Sequence, residues 1–146
     1  MSMSAKRVIS GTWGQVWLDS EQVSECYGMK IALKTNKEKV PICGQMITDN
    51  KVTSLEATGS MKLYKTSSRM ARLIADKLKS GQDVRFTVIS KLDDPDAYGA
   101  ERVSVTGVSF DDLTLADWEA GKLGQVECPF TYTDYDYLDL IPEATD

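Results

Sequence analysis

Apolar and polar positions alternate along several stretches of this chain, and along one they recur at helical spacing. Ala57, Gly59, Met61 and Leu63 fall on one face of an extended segment, with Thr58, Ser60, Lys62 and Tyr64 on the other. That segment runs straight into Met70, Leu73, Ile74 and Leu78, which draw one apolar stripe along an amphipathic helix over residues 67–80. Thr66, Ser67 and Ser68 offer oxygens for the free amides at its start, and Gly81 can take the left-handed backbone that ends it. Met29, Ile31 and Leu33 alternate with Lys30, Ala32 and Lys34 in another strand. Val84, Phe86 and Val88 do the same, as do Val126, Cys128, Phe130 and Tyr132 near the end. A short first strand covers 15–18 and turns at Asp19-Ser20-Glu21. Another returns over 102–110, where Gly107 marks a bulge between Val105 and Val108.

These elements predict a mainly β chain with one α-helix: an antiparallel barrel or sandwich of six or seven strands, closed or nearly so, with the helix on its flank. Residues 111–124 read as a loop or a short helical turn. Residues 1–14 are small, polar and glycine-punctuated, and read as an arm that stays disordered unless a neighbour pins it. Residues 36–51 read as a long loop, in which Val40, Ile42, Met46 and Ile47 stand among lysines. Disordered segments are poor in such residues, and a loop this long usually has a task. Apolar side chains that a domain cannot bury point to contact with another chain. The other reading is a loop folded back on its own core.

At 146 residues the chain fits one domain with a modest core, from 1 to 146. Its 42% hydrophobic and 27% charged content is that of an ordinary globular protein. No apolar run is long enough to span a bilayer, and the first seven residues lack the apolar stretch of a signal peptide, so no membrane partner is expected. The net charge of −5 is concentrated in the segment 134–146, where Asp134, Asp136, Asp139, Glu143 and Asp146 meet no lysine or arginine. Setting those five aside leaves 17 acidic residues against 17 basic ones. Such a balance does not suit specific or general nucleic-acid binding, which needs a basic surface.

There is no histidine, which removes the commonest general base and metal ligand. The three cysteines, Cys26, Cys43 and Cys128, are widely spaced and read as reduced thiols in or near the core, with Cys43 the most exposed. Asp93, Asp94 and Asp96 crowd one turn, but Pro95 and the spacing break a calcium-loop pattern, leaving a solvated turn. No glycine-rich phosphate cradle occurs. The tryptophans Trp13, Trp17 and Trp118 are scattered, as core or interface residues are and stacking platforms are not. Catalytic, cofactor and metal sites are therefore all expected to be absent. Tyr132, Tyr135 and Tyr137, interleaved with Asp134, Asp136 and Asp139, read equally well as an exposed edge strand or as a docking surface.

The chain resembles the tail tube proteins of contractile phage tails, including the tube subunits of defective Bacillus-type prophages. The stretch 57–81 carries the resemblance, as do Ile9 to Asp19, Lys39-Val40-Pro41-Ile42-Cys43-Gly44-Gln45-Met46, Leu92-Asp93-Asp94-Pro95, Gly99 to Val103, and Pro129-Phe130-Thr131. It departs at Asp19-Ser20-Glu21, where the family commonly has glycine. The resemblance implies homo-hexameric rings stacked into a hollow tube inside a sheath, as in phage tails and phage-tail-like bacteriocins. Ser10, Gly11, Thr12 and Trp13 of the arm, with Val40, Ile42, Met46 and Ile47, would make inter-ring contacts. Arg69, Arg72, Asp76, Lys77 and Lys79 would face the sheath from the helix. Tail sheath, baseplate and tail terminator proteins would be the partners. Assembly would take place in the host cytoplasm, before the tube enters a virion tail or a released particle. The rival readings are a monomeric barrel that binds a small ligand inside, and an enzyme using carboxylates such as Asp94 and Glu101.

Overall fold

The computed structural model describes residues 3–143. Its strands are β1 (Gly14–Leu18), β2 (Glu21–Gln22), β3 (Cys26–Val40), β4 (Asp49–Tyr64), β5 (Phe86–Leu92), β6 (Glu101–Phe110), β7 (Gln125–Thr131) and β8 (Asp134–Asp139). All pairings are antiparallel, in the order β2-β1-β5-β6-β7-β4-β3, with β8 on β6. Among the described residues the count is eight rather than six or seven, because Glu21–Gln22 and the acidic tail each add a short strand. The path is also open, since β1 and β3 approach each other without pairing.

Alternation fills the interior. Val16, Leu18, Met61, Leu63, Phe86, Val88, Val105, Val108, Cys128 and Phe130 are all buried, and Phe130, Met61, Val88, Val105 and Val108 fully so. The rings of Phe86, Phe110 and Phe130 pack in sequence, the first pair tilted and the second edge-on, with centroids 5.6 and 5.9 Å apart. Gly107 has φ +65° and sits where β6 carries one residue more than β5, so Val105 and Val108 both point inward. Past this bulge β6 leaves β8 and pairs with β7. Thr133 fixes the corner, its backbone amide and its hydroxyl both donating to the Thr106 carbonyl, at 3.0 and 3.1 Å.

The turn between β1 and β2 is a two-residue hairpin in which Asp19 (φ 48°) and Ser20 (φ 72°) are both left-handed. Asp19 is held in place by Thr87, whose amide donates to its carboxylate at 2.8 Å. Among the described residues Ser20 has no side-chain hydrogen bond to offset its strain. Ser20→Gly is therefore expected to raise stability by about 0.5–1 kcal/mol, seen as a higher urea midpoint at unchanged slope.

The helical segment is shorter and wider than its sequence pattern predicts. Ala71–Ala75 forms a π-type turn, and α1 (Asp76–Lys79) follows. The end is as expected. Gly81 is left-handed, its amide reaches the Leu78 carbonyl, and Gln82 reaches Lys77. Met70 and Ile74 are buried and Leu73 half-buried, but Leu78 lies 46% exposed. The apolar stripe is thus a turn short of the one the spacing draws.

The largest departure is at 36–51. Most of this segment is strand, because β3 and β4 pair continuously from Cys26↔Leu63 out to Val40↔Asp49, leaving only 41–48 as the connection. β7 covers β4 only between Thr58 and Tyr64, so beyond that point the hairpin runs on as a bare two-stranded ribbon. Thr53 is an extra residue on β4, and its hydroxyl donates to the Asn36 carbonyl, pinning a bulge in the ribbon.

Candidate functional site

The projecting ribbon is the feature for which the body has no use. β3 reaches it by crossing the open side of the sheet. Cys26, Tyr27, Gly28 and Met29 face β1 and Leu92 across one groove, of about 580 Å³. Ile31 and Leu33 face Glu101, Val103, Tyr135 and Tyr137 across another, of about 290 Å³. β3 therefore passes from the β1 side to the β8 side and leaves the body there. Its root is tied down by Tyr132, a buried residue whose hydroxyl donates to the Ala32 carbonyl at 2.8 Å.

From Leu33 outward almost every residue of the ribbon is exposed. Val40 and Ile42 are exposed, and at the tip Ile47 is 84% and Met46 fully exposed. The four apolar positions expected to contact another chain are thus gathered at one end of a long lever. A two-stranded ribbon is at best marginally stable by itself, and this one exposes Leu33, Val52 and Leu55 as well.

The arm behaves differently from its expectation as a segment awaiting a neighbour. Residues 1 and 2 lie outside the described residues, but from Ser4 onward the arm folds onto its own domain. Arg7 donates to the Asp96 carbonyl at 3.1 Å and stands over the Tyr98 ring at 4.9 Å. The Ser10 amide donates to Asp94 at 2.9 Å, and Asp94 also receives the Asp96 amide at 2.9 Å. Those two amides hold the Asp94 carboxyl below its ordinary range. The aspartate cluster is therefore more than a solvated turn, since Asp94 is buried and serves as the clamp for the arm. Asp-x-Asp around a proline is a recognisable signal for such a turn, but its partner Ser10 lies too far away in sequence to be read. Ser10, Gly11, Thr12 and Trp13 form an exposed 3-10 turn at the mouth of the larger groove, with the Ser10 hydroxyl accepting the Thr12 amide.

On the helical segment, Arg72, Asp76, Lys77 and Lys79 are exposed, as the sequence reading expects. Arg69 is not available in that way. Its guanidinium bonds both oxygens of Glu25 at 2.6 and 3.4 Å and reaches Glu21 at 3.3 Å, latching the helix to the turn before β3. Burial raises the Glu25 pKa, but the Arg69 bond, its own backbone amide and the Arg69 charge outweigh it, so the group lies below its usual value. Nothing in the sequence pairs these residues. Arg69→Ala is expected to cost about 2 kcal/mol, because it strands a half-buried carboxylate. A depressed carboxylate stabilises the fold above its unfolded value and loses that contribution as pH falls through the folded one. Urea midpoints followed into acid should therefore fall less in Arg69→Ala than in the parent chain.

The remaining candidates are quickly placed. Cys128 is buried and its thiol is pushed up to about 11, mainly by burial, while Cys26 is raised for the same reason. Both are packing residues with little thiolate character. Cys43 is exposed in the ribbon tip. Tyr135 and Tyr137 line the smaller groove with Val103, while Asp139 pairs with Arg102 at 3.5 Å. Asp146 lies outside the described residues. Residues 111–124 form a loop that exposes Leu115, Trp118 and Leu123. Among the described residues no group of three or more acids, cysteines or histidines could hold a metal ion, and no helix is long and apolar enough to cross a membrane.

A family model described as phage tail tube protein matches residues 1–139. The phage-like element PBSX protein XkdM of Bacillus subtilis (strain 168) is 33% identical over 146 residues, covering 99% of each chain. Among solved structures, the fold is similar to a chain in the sheath-tube complex of an extracellular contractile injection system (PVC) in its extended state. That match has a TM-score of 0.72 at 9% identity over 95% of this chain and 100% of the other. A chain from the tube-terminating cap of the anti-feeding prophage matches with a TM-score of 0.71 at 11% identity, covering 96% and 97%.

Proposed function

Because this chain belongs to the phage tail tube protein family, we propose that it forms the inner tube of a contractile tail or phage-tail-like particle as stacked six-membered rings. The observation that carries this reading is the ribbon, with four apolar side chains exposed at or near a tip that its own body cannot cover. Two further features support it. Among the described residues β3 pairs with β4 alone and β8 with β6 alone, so each presents a free edge. In a ring such edges can pair across copies, which removes the aggregation hazard they otherwise pose.

The arm residues Ser10, Gly11, Thr12 and Trp13 and the ribbon residues Val40, Ile42, Met46 and Ile47 make the contacts between rings. Arg72, Lys77 and Lys79, with Asp76 among them, give a mostly basic outer face for the sheath. Arg69 supports that face by anchoring the helix. Head-to-tail stacking is open-ended, so baseplate and terminator proteins set the two ends of the tube. Subunits assemble in the host cytoplasm and leave it in a tail or a released particle. A tube subunit performs no chemistry, which suits a chain without histidine. A ligand-binding barrel gains no support from a body whose interior is filled by Phe130, Met61 and the central valines.

Negative-stain electron microscopy of the concentrated protein, beside size-exclusion chromatography, tests the reading. Hollow filaments or six-membered rings are expected. A monomer that persists even on a matching baseplate overturns it.

A further inference from the structure

The larger groove lies where the sheet fails to close, between β1 and the start of β3. It is lined by Gly11, Gly14, Val16, Tyr27, Gly28 and Leu92 among others, and no charged side chain lines it among the described residues. The ribbon tip, residues 41–48, is equally free of charge, although Lys37, Glu38, Lys39, Asp49 and Lys51 stand just behind it. The two features also lie at opposite ends of one strand. β3 begins at the groove and ends at the tip, past β8.

From this placement we infer that the ribbon tip of one copy seats in the β1–β3 groove of the next. The inference deepens the tube reading and rests on it. Two copies related head to tail along β3 bring the tip of the first to the groove of the second, and the relation repeats without using up either surface. The apolar residues of the tip, Ile42, Met46 and Ile47, meet glycine backbone and the side chains of Tyr27 and Leu92. Neither partner has to desolvate a charge. The arm and the ribbon are then the two halves of one contact, because Gly11 and Thr12 form the groove's lip. The opening of the sheet also gains a purpose, since the missing closure is completed by a second copy. The charged residues behind the tip remain outside the groove, in solvent.

Two variants test this, each on polymer verified by microscopy. A side chain at Gly11 meets open space and needs no left-handed backbone, so Gly11→Leu fits the fold while adding bulk at the groove's lip. Its thermal unfolding as a monomer is expected to match the parent, and its threshold concentration for polymerisation to rise at least tenfold. An unchanged threshold overturns the contact. The second variant uses the native Cys43 of the tip. With Gln15→Cys in the groove, mild oxidation of the polymer is expected to give a reductant-sensitive ladder, absent from the monomer and lost with Cys43→Ser. A disulfide needs Cα atoms within about 7 Å, so the ladder reports direct seating. If tubes form and Cys43 instead links to Tyr135→Cys in the smaller groove, this contact is wrong and the tube reading stands. If no polymer forms at high concentration or on a baseplate, both fall together.

Discussion

Replacing Met46 and Ile47 together by aspartate is expected to abolish tube formation while leaving the monomer folded. Both side chains are almost completely exposed, so the body loses no buried contact and unfolding should shift by less than about 0.5 kcal/mol. In the assembled state each change would bury a charge in place of an apolar group. Even a few kcal/mol per contact, repeated at every subunit of a ring, is ample to prevent stacking. Sedimentation of polymer across a concentration series is the measurement, with a rise in threshold of at least a hundredfold expected. Normal tubes from the double variant would mean that the ribbon tip is a passive protrusion. The conservative pair Met46→Leu and Ile47→Val should assemble, which separates apolar contact from mere disturbance of the tip.

Gly59→Ala is expected to be a strongly damaging small substitution in the body. Gly59 has ordinary backbone, so conformational freedom is not the issue. A methyl group there would lie 2.6 Å from the Lys30 carbonyl oxygen and 2.6 Å from the Phe130 ring. Phe130 is fully buried and braced by Phe110, and the Lys30 carbonyl belongs to the pairing of β3 with β4. Neither can retreat without opening the core or the root of the ribbon. We expect a loss of about 3 kcal/mol, read from urea unfolding. Adding Phe130→Leu to Gly59→Ala should recover about 1 kcal/mol relative to additivity, because the smaller side chain makes room. Additive losses would show that the clash lies with the Lys30 carbonyl alone.

Some of this was legible in the chain. The faces of β4, β5 and β7, the bulge at Gly107 and the stop at Gly81 all rest on local patterns, and local patterns are what one sequence carries. The segment 36–51 was misleading for the same reason. Lys37, Glu38 and Lys39 give no alternation, since a strand exposed on both faces has no buried side to mark. Its pairing with β4 is a property of two segments together. Glu25 and Arg69 are 44 positions apart and Ser10 and Asp94 are 84 apart, and neither pair leaves a trace in either neighbourhood. Arg69 therefore read as one more cation on a polar face.

The sequence by itself determined the antiparallel β class, the inward-facing positions and which apolar residues the domain would struggle to bury. These follow from side-chain period and from the cost of leaving Ile42, Met46 and Ile47 in water. Only the tertiary structure decided where those residues stand. It drew the loop out into a ribbon, left the sheet open between β1 and β3, and clamped the arm beside that opening. Strand order, closure and long-range ion pairs depend on which distant segments meet. That is set by the packing of the whole chain, because no local stretch contains both partners.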